Sequence, residues 1–312
     1  MFILAIETTG PFGSTALLDE KGNVLGCEVS RETMSHLKDL IPMVDTMLKK
    51  CGVSKDQIDL LAPSVGPGSF TGIRIGVSTA RALCQALGIK AVPVPTLEAF
   101  CFKETADMQT ASEAAFVAAR KSGDHEAGGQ PPAVQAAGIQ AASRQPACGR
   151  TAVCAIINAR RGQVYGMIDG FMEPGPYMLT DVLDVYKSKL EPDGGKLLFY
   201  GDGIDAYEKD IIEALGQPGP GPECCYEFAP EEDRYQDAVS VGKWAVEHIR
   251  QAGGISCGLD GVGDDAGAGG VCGLDGAAVD YENLLPDYMR RAEAEQKLES
   301  GELPICKGPK QE

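Results

Sequence analysis

Three stretches of the sequence carry residue types at spacings that can do chemistry. Glu7-Thr8-Thr9-Gly10 follows the apolar run of residues 2 to 6. A carboxylate at a strand end, followed by a Thr/Gly turn, can present hydroxyls and amides to a phosphate, although a simple hairpin with a capped turn uses the same residues. Gly66-Pro67-Gly68-Ser69-Phe70-Thr71-Gly72 packs three glycines and a proline into seven residues. A glycine loop opening a helix holds anions through free amides and the positive helix end. This loop lacks Gly-Lys-Ser/Thr, and its spacing does not fit GxGxxG, so a purely structural turn stays equally open. His36 stands alone, because Leu40 occupies the fourth position after it and the other two histidines, His125 and His248, lie far along the chain. One imidazole cannot hold a metal, and a capping or packing role is the expectation.

Nucleophilic catalysis finds no support either. There is no GxSxG elbow, and Ser69 has no candidate base nearby in sequence. The 11 cysteines are scattered without a C-x-x-C pair, which fits reduced thiols better than a disulfide framework or a zinc site. No catalytic or metal residue is therefore assigned.

The elements that position these stretches follow from periodicity. Residues 2 to 6, 15 to 18 and 24 to 27 predict a three-stranded antiparallel meander. Leu37, Leu40, Ile41, Val44, Met47 and Leu48 mark an amphipathic helix over 35 to 51, ended by Gly52. Ile73, Val77, Ala80 and Leu83 continue the period of a second helix from Thr71 to Gly88, capped by Ser69 or Thr71. Gly72, Gly76 and Ala80 leave one face of it nearly bare, able to approach another helix or a backbone closely. With strands before the glycine loop and at 89 to 94, and a helix opening at Thr96, the first 100 residues read βββαβαβα. A hairpin over 152 to 168, a helix over 179 to 190, a strand over 196 to 200 and helices over 206 to 215 and 238 to 249 echo that alternation.

Composition bounds the rest. With 312 residues, 44% of them hydrophobic, the chain can build two lobes. The formal charge is −17, and residues 1 to 105 hold 10 Lys+Arg against 11 Asp+Glu, which leaves 18 against 34 in the remainder. No basic stripe of the kind that grips a phosphate backbone stands out, so the chain alone is expected to bind nucleic acid poorly. No apolar run approaches a membrane span and no leader pattern opens the chain, which reads as cytoplasmic with no membrane contact. Residues 106 to 150, with 13 alanines, and the Gly/Asp-rich residues 253 to 280 break the pattern and read as insertions without chemistry. The expected division is a first lobe 1–105, an insertion 106–150, a second lobe 151–285 containing the 253–280 insertion, and a C-terminal helix and tail 286–312.

Several blocks together carry a family resemblance. ILAIETT at the start, His36 followed by Leu40-Ile41-Pro42, VGPGSFTGIRIG at 65 to 76, VPVPTLEA at 92 to 99 and Pro286-Asp287-Tyr288-Met289-Arg290 near the end resemble the TsaB family. Asn158-Ala159-Arg160 and Gln163-Val164-Tyr165 resemble that family's Asp-Ala-Arg-x-x-Glu-Val-Tyr, with both acids replaced. The resemblance implies a two-lobed α/β actin-like ATPase fold with βββαβα lobes. It implies a non-catalytic subunit that partners and activates TsaD in making threonylcarbamoyladenosine at position 37 of tRNA. A TsaE-like ATPase joins the complex, and tRNA is met only indirectly. The helices over 35 to 51 and 71 to 87 are the family's partner interface, here His36, Leu37, Leu40, Ile41, Val44, Gly72, Ile73, Gly76, Val77, Ala80 and Leu83. The same surface can pair with itself in a homodimer when TsaD is absent. No cofactor is implied, although Glu7, Thr8 and Thr9 leave room for residual nucleotide binding as a vestigial phosphate hairpin. The alternative is an actin-fold ATPase or small-molecule kinase using those three residues with the Gly201-Asp202-Gly203 turn.

Overall fold

The computed structural model describes residues 1–30, 32, 35–103, 151–219, 225–253 and 276–289. Two sheets organise these residues, and both have one strand order. In the first, β1 (Phe2–Glu7), β2 (Ser14–Asp19) and β3 (Val24–Val29) run antiparallel, and β4 (Leu60–Gly66) and the short β5 (Lys90–Ala91) add in parallel on the other side of β1. A two-residue strand, β6 (Val94–Pro95), also pairs β4. In the second, β7 (Thr151–Arg160), β8 (Gln163–Ile168) and β9 (Met172–Met178) form the meander, while β10 (Lys196–Tyr200) and β11 (Tyr226–Phe228) continue in parallel from β7. The repeated order, meander first and parallel strands second, is that of the expected two-lobed actin-like fold.

Both faces of the first sheet are covered, which is why β1 reads as a continuous apolar run. Leu4, Ile6, Leu17 and Leu61 pack against α1 (His36–Cys51) and α2 (Phe70–Leu87). Ile3, Ala5, Leu18 and Ala62 pack on the opposite face, against Val241, Trp244, Ala245 and Ile249 of a helix we label α6 (Ala238–Gln251). The expected second lobe, 151–285, includes α6, yet its contacts are with the first sheet: Ala238 N donates to Ser14 Oγ at 2.9 Å, and a Cβ on Gly242 would meet Leu18 Cδ1 at 2.2 Å. In the second sheet, Ile156, Val164, Leu197 and Phe199 pack on α4 (Leu179–Lys189) and α5 (Gly203–Leu215). The other face meets Leu97 of the one-turn helix α3 (Thr96–Ala99) and Phe100 just after it, so the chain itself joins the two sheets there. Lys103 Nζ adds an ion pair to Asp237 Oδ2 at 2.6 Å, beside the start of α6.

Local signals explain the helix ends. Gly52 and Gly88 take left-handed conformations, φ 66° and 68°, at the C-termini of α1 and α2. Ser69 Oγ accepts from Gly72 N at the start of α2. Two strands, β9 and β11, are not among the expected elements. The insertion 106–150, the greater part of 253–280 and all but the first four residues of the C-terminal stretch 286–312 lie outside the described residues.

Candidate functional site

The Glu7 hairpin and the glycine loop meet at the C-terminal edge of the first sheet, and they bind each other. Thr8 Oγ1 donates to Gly72 O at 2.8 Å, Ser69 N donates to Thr9 O at 2.8 Å, and Thr9 donates to Glu7 Oε1 through its amide and, at 2.6 Å, its hydroxyl. The glycines make this approach possible. A Cβ would fall 2.6 Å from Thr9 O at Gly68, 2.0 Å from Thr8 O at Gly72 and 2.2 Å from Thr8 Oγ1 at Gly76. The bare stripe of α2 therefore closes on a backbone of the same chain, and the loop amides at Ser69 and Gly72 already have acceptors.

Glu7 is fully buried, and burial pushes its carboxyl above the usual range against the opposing pull of the Thr9 hydrogen bonds. Among the described residues its Oε2 has no hydrogen-bond partner. Neither polar atom of the buried Gln236 amide has one, and that amide abuts Gly10, where a Cβ would meet Gln236 Oε1 at 2.7 Å. His36 begins α1 beneath the same hairpin. Its ring is buried, with Nε2 3.1 Å from Gly10 O, Nδ1 against Gly13, and its pKa lowered by burial. The hydroxyl, amide and imidazole groups of this edge thus hold the first hairpin onto α1 and α2.

Most of the residues expected at a partner interface are covered by the chain itself. Leu40, Val44, Ile73, Val77 and Ala80 are core residues, His36, Gly72 and Gly76 are buried, and Leu83 is half-buried. Of the eleven positions only Leu37, 81% exposed, and Ile41, 50% exposed, face outward. The two helix faces are apolar because they cover their own sheet. Both helices start at the β1–β2 hairpin, so Leu37 and Ile41 share an end of the lobe with Phe70, 41% exposed. Arg74 lays its guanidinium 3.9 Å over the Phe70 ring and donates from Nε to Tyr288 Oη at 2.9 Å, while the two rings sit 4.9 Å apart. Sequence reasoning missed this trio. The spacing of Phe70 and Arg74 on one helix face is a signal, but Tyr288 arrives from 214 residues away.

The β7–β8 turn is the second lobe's counterpart of the Glu7 hairpin. Asn158 Oδ1 accepts from Arg160 N at 2.8 Å and from Tyr207 Oη at 3.4 Å, and Asn158 N donates to Asp202 Oδ1 at 3.0 Å. An amide side chain at 158 therefore still supplies the acceptor that the turn needs. Burial raises the Asp202 pKa. Among the described residues no cluster of His, Cys, Asp or Glu could hold a metal, and no helix is long and apolar enough to cross a membrane.

Comparison with known proteins agrees with this geometry. The family model "TsaD: tRNA N6-adenosine threonylcarbamoyltransferase" matches residues 24–126. The tRNA threonylcarbamoyladenosine biosynthesis protein TsaB of Bacillus subtilis is 25% identical over 305 residues, 95% of this chain and 97% of the relative. TsaB of Haemophilus influenzae is 35% identical over 97 residues, 31% of this chain and 40% of the relative. The solved structure of YeaZ from Pseudomonas aeruginosa shares the fold, with a TM-score of 0.52 at 20% identity over 92% of this chain and 99% of that one. A near full-length match, a shared two-lobed fold and sequence blocks at both ends make the chain a relative of the TsaB proteins.

Proposed function

We propose that the chain is a non-catalytic subunit for the synthesis of threonylcarbamoyladenosine at position 37 of tRNA, acting by holding and activating a TsaD-like transferase. The observation that carries the reading is the outward pair Leu37 and Ile41 of α1, with the exposed Phe70 and its partners Arg74 and Tyr288 at the start of α2, on a lobe whose polar edge is otherwise closed on itself. Aromatic and arginine side chains flanked by exposed aliphatics are the composition of protein interface centres. A TsaE-like ATPase is the further member of the assembly, tRNA reaches this subunit only within it, and in the absence of the transferase the same patch pairs two copies of the chain. The compartment is the cytoplasm.

No cofactor enters this role. The hydroxyls of Thr8 and Thr9 and the amide of Ser69 donate to partners within the chain, which leaves the first hairpin few free donors for a phosphate. Co-purification with the TsaD-like protein of the same cell tests the reading, with calorimetry against ATP and magnesium alongside. Stoichiometric co-elution and no ATP heat are expected. Micromolar ATP binding without co-elution would favour the ATPase or kinase alternative.

A further inference from the structure

A cavity of about 300 Å³ lies where the two lobes meet, and the subunit role above makes no use of it. One wall comes from the first lobe: Glu98 of α3, Phe102 just beyond it, and Trp244 of α6. The facing wall is the β8–β9 turn and the start of β9, with Phe171, Met172 and Glu173. Both walls are held in place. The Trp244 indole Nε1 donates to Glu98 Oε2 at 3.1 Å, and His248 stacks on that indole with ring centroids 4.5 Å apart. Across the gap, Asp169 N donates to Val153 O and Phe171 N to Ile168 O, each at 2.9 Å, which fixes the turn. A space of this volume falls at the small end of ligand pockets, and tied walls keep the cost of filling it low.

The charges that line the cavity have one sign. Glu98, Asp169 and Glu173 are carboxylates, and no lysine, arginine or histidine is among the described lining residues. Asp169 is engaged within the chain, so the charge open to a ligand is that of Glu98 and Glu173. Glu98 is half-buried and shares one oxygen with Trp244, while its other oxygen and the Glu173 carboxylate have no cation beside them among the described residues. A carboxylate drawn partly out of water is best satisfied by a cation that covers it. Phe102, Phe171 and Met172 supply apolar surface next to these charges. A charged head on a methylene stem fits both kinds of wall, because ammonium and guanidinium groups pair with carboxylates while their stems lie along apolar side chains.

We propose that this inter-lobe cavity binds a free organic cation, an amine or guanidine on a short aliphatic stem, with its head between Glu98 and Glu173. The site is independent of the subunit role: Trp244 covers one face of the first sheet and α1 and α2 cover the other.

Trp244 is the only tryptophan of the chain, so its emission reports the cavity directly. Agmatine is titrated into the full chain at about 0.15 M salt, which screens loose attraction to a protein of charge −17. A saturable change in emission with a half-point below about 1 mM is expected, together with a melting temperature that rises with agmatine. The uncharged n-butanol should produce neither. Glu98→Gln keeps an acceptor for Trp244 Nε1, and Glu173→Gln alters an exposed residue. Each should weaken agmatine binding about tenfold while the free protein melts within about 2 °C of wild type. Should Glu98→Gln fail to fold, Glu173→Gln alone decides. No saturation by about 10 mM agmatine overturns the proposal. An equal response to n-butanol overturns it too, because the cavity would then select only for apolar bodies. Half-points unchanged in the variants also overturn it, because agmatine would then be gathering on the acidic surface at large.

Discussion

A Cβ at position 76 would lie 2.2 Å from the hydroxyl oxygen of Thr8, so the small residues of α2 serve the chain's own first hairpin. Gly76→Ala is therefore expected to destabilise the isolated protein by about 2 kcal/mol or more, since the Thr8 side chain it would press on is short, buried and held by its bond to Gly72 O. Gly76→Arg should fail to fold. Urea unfolding measures both, and a Gly76→Ala protein as stable as wild type would mean that the hairpin and α2 are not in contact.

Glu7 gives a pH dependence with a definite sign. Its folded pKa is raised by burial above the ordinary 4.5, so the folded state keeps the proton that the unfolded state releases, and stability declines as pH rises from 4.5 through the folded value. Glu7→Gln keeps an acceptor for Thr9 and carries no buried charge. We expect it to be more stable than wild type at pH 7, by about 1–3 kcal/mol, and to lose the decline over that window. Thermal melts from pH 4 to 8 measure the difference, which should vanish at pH 4.

His36 contributes on the other side. Burial lowers its pKa from 6.5, so the unfolded state binds a proton that the folded state resists, and stability is lost as pH falls below 6.5. His36→Asn is expected to cost about 1–3 kcal/mol at neutral pH through the lost bond to Gly10 O, while flattening the acid limb below pH 6.5. An acid limb identical to wild type would show that His36 is not the group responsible.

Much of this was legible locally. Gly52, Gly88 and Ser69 end or cap their helices as their residue types predict, and the order βββαβαβα of the first 100 residues holds, with the last strand split at Val92 and Pro93. What escaped depends on distant partners. β9 contains Pro174 and Pro176 and reads as a breaker, yet it lies at the sheet edge, where a missing amide donor is tolerated. The apolar faces of α1 and α2 look like an interface because periodicity records that a residue is covered, not by what. The cover for Gly72 is Thr8, 64 residues earlier, and the partner of Arg74 is Tyr288, 214 later. Nothing within α6 says which sheet it will join.

On the proposed function, the outward residues of α1, and not the glycine stripe, hold the transferase. The direct measurement is co-elution of the full chain with its TsaD-like partner, for wild type and for Leu37→Asp, Ile41→Asp, beside the melting temperature of each chain alone. Both residues are exposed, so the variant is expected to melt within about 2 °C of wild type, yet to lose the complex by a factor of about 100 or more in affinity, as removal of an interface centre does. A double variant that still co-elutes at full stoichiometry and supports threonylcarbamoyladenosine formation would contradict the account.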